Sequence, residues 1–339
     1  MKLRASERAP FFIFAEVVTV RLLLARAPEH LKVSDKTAPY ATASKQSQGK
    51  PMRLAVLTAL VMLAFAGNSV LNRLAVGQNL IAPLGFALWR VVAGAAVLAG
   101  LVWLRWWFKG GQVWPQNRGR IAGVLGLLVY LIGFSMAYQG LTAGAGALTL
   151  FGVVQITMFV GAVLGREKIP MRRWLGAATA FGGLALLLAP AASGAIDPRA
   201  ALAMSFAGLG WGVYSLAGRG QTDALGATAA NFLLVAPALV AITLFMPHLT
   251  PASPMSPSGL ALAVLSGAIT SGLGYALWYQ ILPELGASRA AVAQLTVPLI
   301  AAAAGTAVLG ESVGWRFAAA SVLVLGGVVL AMRSGPAGN

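Results

Sequence analysis

Between Arg53 and Arg333 the chain is a succession of ten apolar runs, at about 54–75, 82–104, 120–141, 146–165, 173–190, 200–219, 226–247, 258–281, 288–309 and 314–332. A helix rising ~1.5 Å per residue needs about 20 such residues to cross a hydrocarbon core ~30 Å thick. Runs of this length, repeated this closely, predict an all-α polytopic membrane protein of ten transmembrane helices. With 10% charged and 58% hydrophobic residues, the chain has too little polar surface to form a soluble globule.

The net charge of +16 does not point to nucleic acid, because beyond the first fifty residues the basic side chains stand singly or in small groups between apolar runs. They read as topology markers. With the N-terminus in the cytoplasm, twelve Lys and Arg fall inside: Arg53, Arg105, Lys109, Arg118, Arg120, Arg166, Lys168, Arg172, Arg173, Arg219, Arg289 and Arg333. Only Arg73, Arg199 and Arg316 fall outside. The expectation is a bacterial-type inner (plasma) membrane protein with both termini cytoplasmic; nine or eleven spans would put alternate loops on the wrong side.

Residues 1–51 differ in character, with nine Lys and Arg against four acids and a polar stretch from Ser34 to Lys50. The apolar piece Phe11–Ala25 is interrupted by Glu16 and Arg21, too short to span and too charged for a signal-peptide core. The readings are a disordered basic tail, a short interfacial helix, or an extension ahead of a natural start at Met52. Residues 334–339 form a cytoplasmic tail.

One pattern recurs. Leu164-Gly165-Arg166-Glu167, Arg172 and Gly182-Gly183 are echoed by Leu309-Gly310-Glu311, Arg316 and Gly326-Gly327, with the Glu, Arg and glycine pair all offset by 144 residues. Tyr138-Gln139 and Tyr279-Gln280 repeat at a slightly smaller offset. Five segments, 52–190, are thus repeated in 198–333. Five is odd, so the second copy enters the membrane with opposite polarity, the layout of transporters that bind their solute near midplane between the halves. A duplicated protein with a purely structural role is the competing reading.

The same residues resemble the EamA family of the drug/metabolite transporter (DMT) superfamily. The resemblance rests on a Gly and a Glu closing the fourth and ninth segments (Gly165-Arg166-Glu167 and Gly310-Glu311), Trp174-Leu175-Gly176 opening the fifth and Trp211-Gly212-Val213-Tyr214-Ser215 in the sixth. Gly274-Tyr275-Ala276-Leu277-Trp278-Tyr279 in the eighth and Gln294-Leu295-Thr296-Val297-Pro298 in the ninth complete it. It implies that segments 1–4 and 6–9 surround a central cavity, with 5 and 10 peripheral, and that the chain exports or exchanges small metabolites, amino acids or drugs. The fourth segment departs from the family pattern, reading Phe151-Gly152-Val153-Val154-Gln155 where a proline is usual. Bending is therefore expected mainly in the second half. There Pro298 has no N–H for the Gln294 carbonyl, making it the candidate hinge.

Arg90 is the only full charge well inside an apolar run, roughly 12 Å deep at ~1.5 Å per residue. A membrane-buried Arg costs about 2.5–3.5 kcal/mol on insertion scales. Its planar fork suits a carboxylate or phosphate; snorkelling to the outer interface or a structural hydrogen bond are the alternatives. Asn68 and Asn72 share one face of the first segment, and Gln155 and Gln294 sit in corresponding segments; all four read as cavity lining or interhelical glue. Trp211, Tyr214 and Tyr275 are candidates for an amphipathic cavity wall, whereas Trp278 and Tyr279 read as an interfacial belt. Glu167 and Glu311 are repeat markers and the only candidates for ion coupling.

No Asp, Glu or His lies deep in any run, and the chain has no cysteine, so neither an enzyme, a metal site nor a bound cofactor is expected. The expected partners are the lipid bilayer and a small-molecule substrate, with the peripheral helices offering a face for a homodimer. The sequence reading is a metabolite exporter working by alternating access on a solute such as an amino acid. Efflux of apolar drugs or toxins is the alternative within transport, and a non-transporting scaffold or sensor the alternative outside it.

Overall fold

The computed structural model describes residues 41–110, 114, 119–166, 169–189, 196–218, 221–246 and 255–332. These residues form a helical bundle. In chain order the helices are α1 (Ala41–Gly77), α2 (Pro83–Lys109), α3 (Arg120–Ala137), α4 (Ala143–Leu164), α5 (Met171–Leu188), α6 (Pro198–Ala217) and α7 (Ala224–Phe245). They are followed by α8 (Pro257–Leu265), a π-helical segment (Ser266–Leu273), α9 (Gly274–Gln294), α10 (Thr296–Leu309) and α11 (Trp315–Met332).

Local chemistry sets several helix starts. Pro83, Pro198 and Pro257 occupy opening positions where a missing N–H costs nothing. Side-chain oxygens of Thr142, Asp197, Asp223 and Ser256 accept from backbone N–H groups of the first turn of α4, α6, α7 and α8.

Seven helices among the described residues are long and apolar enough to cross a membrane, the seventh running continuously over Pro257–Leu282. The other three expected spans are shorter or more polar. The helix of segment five has 18 residues and opens on Arg172-Arg173. Segment nine departs most from the expected 288–309 span: α9 runs to Gln294, the chain turns at Leu295, and α10 has 14 residues. The reason is Pro298. Its ring crowds the Gln294 carbonyl and it has no N–H to offer it, so the helix is interrupted there and Pro298 takes a place in the first turn of a new one. Pro298 is therefore buried near the start of α10 and not in mid-helix, while α4 is unbroken through Phe151–Gln155. A further proline, Pro237, does lie inside a helix, α7.

α3 packs along α6, α5 along α11, α2 along α7, α4 along both α6 and α10, and α1 along α9 and α10. Several of these contacts bring backbone against backbone, those of α3 with α6 and α5 with α11 most extensively. A Cβ on Gly126 would lie 2.7 Å from the Gly210 carbonyl oxygen, and one on Gly210 2.6 Å from that of Gly126. Between α5 and α11, Gly327 meets the Gly176 carbonyl at 2.5 Å and Gly183 meets the Val324 nitrogen at 3.0 Å by the same measure. The second glycine of each repeated pair thus has a packing role, whereas Gly182 and Gly326 face open space.

Candidate functional site

Arg90 of α2 is completely buried, so it does not snorkel. Its Nε donates to Ser271 Oγ at 3.0 Å and its Nη2 to the Tyr130 hydroxyl at 2.8 Å. The guanidinium lies 5.2 Å from the Tyr130 ring centroid and 5.0 Å from that of Phe134, so two π faces receive part of its charge. Nη1 is buried and has no hydrogen-bond partner. The ion pairs among the described residues, Arg73–Glu311 and Arg105–Asp223, do not include Arg90. A permanent cation is thus held in a neutral aromatic setting with one arm of its fork unused.

The π segment positions this arrangement. Gly267 lies against the Arg90 backbone carbonyl so closely that a Cβ there would overlap it. Ser266 Oγ, Thr270 Oγ1 and Ser271 Oγ all donate to Asn68 Oδ1, at 2.8, 2.5 and 3.4 Å, and Asn68 Nδ2 donates to the Thr270 carbonyl at 3.3 Å. Helix α1 is therefore tied to the π segment, and the π segment to Arg90. One turn on, Asn72 Nδ2 donates to Ser135 Oγ at 3.2 Å, while its Oδ1 is buried without a partner. π-helical turns recur at functional sites because the extra residue re-aims side chains.

Beside this cluster lies a small central cavity of about 20 Å³, room for about one water molecule, lined by Phe65, Asn68, Ser69, Tyr130, Phe134, Leu150, Phe151, Trp211 and Tyr275. Trp211 packs on Tyr130, Tyr275 and Tyr214 with ring centroids 4.9, 5.3 and 5.3 Å apart. Of the sequence candidates, Asn68, Trp211 and Tyr275 line this cavity, and Arg90 reaches it through Tyr130. Asn72 is buried next to α3, and Tyr214 lines a different cavity. Gln155 and Gln294 are half-buried and do not line the central cavity. Trp278 is no belt residue: it is buried, edge-on to Phe65 at 5.8 Å. Glu167 lies outside the described residues.

Sequence reading missed Tyr130 and the hydroxyls of the π segment. The available signal was the pair of Ser-Gly steps, Ser266-Gly267 and Ser271-Gly272, inside an otherwise apolar run. Among the described residues no cluster of three His, Cys, Asp or Glu forms a metal site.

The two ends of the bundle differ. At one, Arg73 Nε donates to Glu311 Oε1 at 2.9 Å, its Nη1 donates to the Tyr138 carbonyl at 2.9 Å, and Glu311 Oε2 accepts from the Ala143 N–H at 2.8 Å. Glu311 thus joins α10 to the end of α1 and the start of α4, and Gly305 leaves room for its carboxylate. At the other end Arg105 grips Asp223 through two bonds of 2.7 and 2.6 Å.

Burial pushes the Asp223 carboxyl up, but the Arg105 hydrogen bonds, the Gly226 N–H and the Arg105 charge outweigh it and hold it below the usual carboxylate range. A depressed carboxyl contributes stability that is present above its unfolded pKa, about 3.9, and lost as pH falls through the folded value. Thermal unfolding of the detergent-solubilised protein is therefore expected to show a loss of stability below about pH 4 that is smaller in Asp223→Asn. An unchanged acid limb in that variant would remove Asp223 from the account.

Comparison with known proteins agrees with this architecture. A protein of Pseudomonas aeruginosa, itself uncharacterised, is 44% identical over 288 residues, 84% of this chain and 97% of its own. An uncharacterised transporter of Archaeoglobus fulgidus is 24% identical over 215 residues, 62% of this chain and 75% of its own. A solved crystal structure at 18% identity shares the fold, with a TM-score of 0.57 over 80% of this chain and 96% of the other. The model of the EamA-like transporter family matches residues 198–333. With the apolar bundle and the near full-length relative, this identifies the chain as a multi-pass membrane protein of the EamA-like transporter family.

Proposed function

We propose that this transporter carries small carboxylate-bearing metabolites, such as amino acids, by alternating access across the inner membrane, in the direction of export. The observation that carries the reading is the buried, unused Nη1 of Arg90 beside an aromatic cavity with no acidic lining. A buried donor on a charged group gains most from an anion that completes its fork. An apolar drug would leave the buried Arg90 Nη1 unsatisfied, which disfavours that alternative.

Two inverted repeats in a ten-span chain are supported by how the helices pair. Exchanging α1–α5 for α6–α11, with α8, the π segment and α9 taken as one unit, converts the α3–α6 contact into the contact of that unit with α1. It converts α4–α6 into α10–α1, and leaves α2–α7, α4–α10 and α5–α11 unchanged. The described basic residues sort accordingly: Arg53, Arg105, Lys109, Arg120, Arg166, Arg172 and Arg173 lie at one end, and Arg73, Arg199 and Arg316 at the other. The first end is cytoplasmic by the positive-inside rule, and the Arg73–Glu311 contacts then close the outer end.

Purified protein in liposomes preloaded with an unlabelled amino acid is expected to accumulate the labelled one by counterflow, and to ignore the amine lacking its carboxylate. Uptake without counterflow would replace alternating access by a channel. No uptake of any carboxylate in the panel would sink the substrate class and favour a scaffold.

A further inference from the structure

The two ion pairs among the described residues both join the first half of the chain, 52–190, to the second, 198–333, and they stand at opposite ends of the bundle. Exposed ion pairs contribute little by themselves, but both of these are part-buried and each is tied into the main chain. Gly310, at φ 66°, turns the chain at the end of α10 so that the Glu311 N–H returns to the Gly305 carbonyl at 3.3 Å and the carboxylate folds back over Gly305. There it accepts from Arg73 and from the Ala143 N–H at the start of α4, while Arg73 also donates to the Tyr138 and Gln139 carbonyls at the end of α3. One carboxylate and one guanidinium thus hold the ends of α1, α3, α4 and α10 together. At the other end Asp223 accepts from the Gly226 N–H as the cap of α7, and its two oxygens meet the Arg105 fork from α2.

With both pairs engaged, the space beside Arg90 has room for about one water molecule, too little for an amino acid. A solute can enter or leave only after the halves part at one end, and the end that parts must break its ion pair. The lever is long at the Arg105 end. A Cβ on Gly94 of α2 would lie 2.7 Å from the Phe232 ring of α7, and Arg105 is ~16 Å further along α2 from that close contact. We propose that the two ion pairs are reciprocal latches: Arg73–Glu311 holds the outer end shut and Arg105–Asp223 the cytoplasmic end, and loss of either shifts the resting population toward opening at that end. The proposal rests on the alternating-access reading above and not on the substrate class.

The chain has no cysteine, so Ser69→Cys, in the wall of the central cavity, supplies a single reporter. Its labelling by the anionic, membrane-impermeant reagent sulfonatoethyl methanethiosulfonate is timed in right-side-out and in inverted membrane vesicles without substrate, and thermal unfolding verifies that each variant is folded. In this background Glu311→Gln is expected to speed labelling from the outside by about fivefold or more and to slow it from the inside, and Asp223→Asn to do the reverse. Gly305→Ala should act as Glu311→Gln does while keeping both charges, because its Cβ would lie 2.6 Å from Glu311 Oε2. The same two biases on exchanged sides would uphold the latches and reverse the topology. Unchanged rates, no labelling in any variant, or a rise from both sides such as a loosened bundle would give, overturn the latches. Counterflow by the wild type separates the two failures: if it is intact while labelling does not move, the latches alone fall, and uptake without counterflow removes alternating access and the latches with it.

Discussion

Replacing Arg90 by Gln is expected to lower carboxylate transport by roughly 10- to 100-fold while leaving the protein at least as resistant to heat as wild type. A charge-assisted hydrogen bond contributes about 1.5–3 kcal/mol, and about 1.4 kcal/mol is a factor of ten. The stability side follows from the empty protein. Arg90 is buried with no ion-pair partner among the described residues and one nitrogen without a hydrogen-bond partner, so its desolvation is offset by hydrogen bonds to Ser271 and Tyr130, by two aromatic faces and by the nearby Tyr275 hydroxyl. A neutral amide there removes an uncompensated charge. A residue kept for packing would give the opposite signature, losing stability and transport together. Arg90→Lys sharpens the distinction, because an ammonium keeps the charge but cannot bridge Ser271 and Tyr130 while offering a fork to a carboxylate. Normal transport by both variants at normal expression would end the case for Arg90 as the anion clamp.

Gly267→Ala is the second substitution with a large expected effect. Its new methyl group would occupy space held by the Arg90 carbonyl, which is main chain and cannot rotate away. α2 and the π segment must then separate, breaking the Arg90–Ser271 and Asn68 contacts with them. Overpacking of this kind costs about 1–3 kcal/mol, and a backbone obstacle puts the cost toward the upper part of that range. Gly326→Ala is the matched control, since a Cβ there meets nothing within 4 Å and Ala favours a helix by up to about 1 kcal/mol. Thermal unfolding of both variants decides it: equal midpoints would show that the crossing of α2 with the π segment is looser than its geometry states.

Much of the helical layout was readable from the apolar runs, because crossing a bilayer imposes a length and a composition that few other constraints imitate. The positions of Asn68, Arg90, Trp211 and Tyr275 were readable for a related reason. A polar or aromatic group inside such a run must face protein, and these four converge around one cavity. What escaped was whatever depends on register. Pro298 marks a discontinuity, but whether it kinks one helix or begins another depends on where the preceding helix ends, which apolar periodicity does not reveal. The π segment is invisible to hydropathy, since one extra residue per turn leaves composition unchanged. Tyr130 is one aromatic among many in an apolar run, and only the fold puts its hydroxyl against Arg90.

The glycine contacts between α3 and α6, and between α5 and α11, have a kinematic consequence. Where main chain meets main chain there is no rotamer to rearrange, so these points of each helix pair resist sliding more than side-chain contacts beside them, such as Trp211 on Tyr130. Contacts built from side chains can creep. The compliance of the bundle therefore resides where α1 meets the π segment through hydroxyls and an amide, and at the single turn of Leu295, where the chain already changes helix.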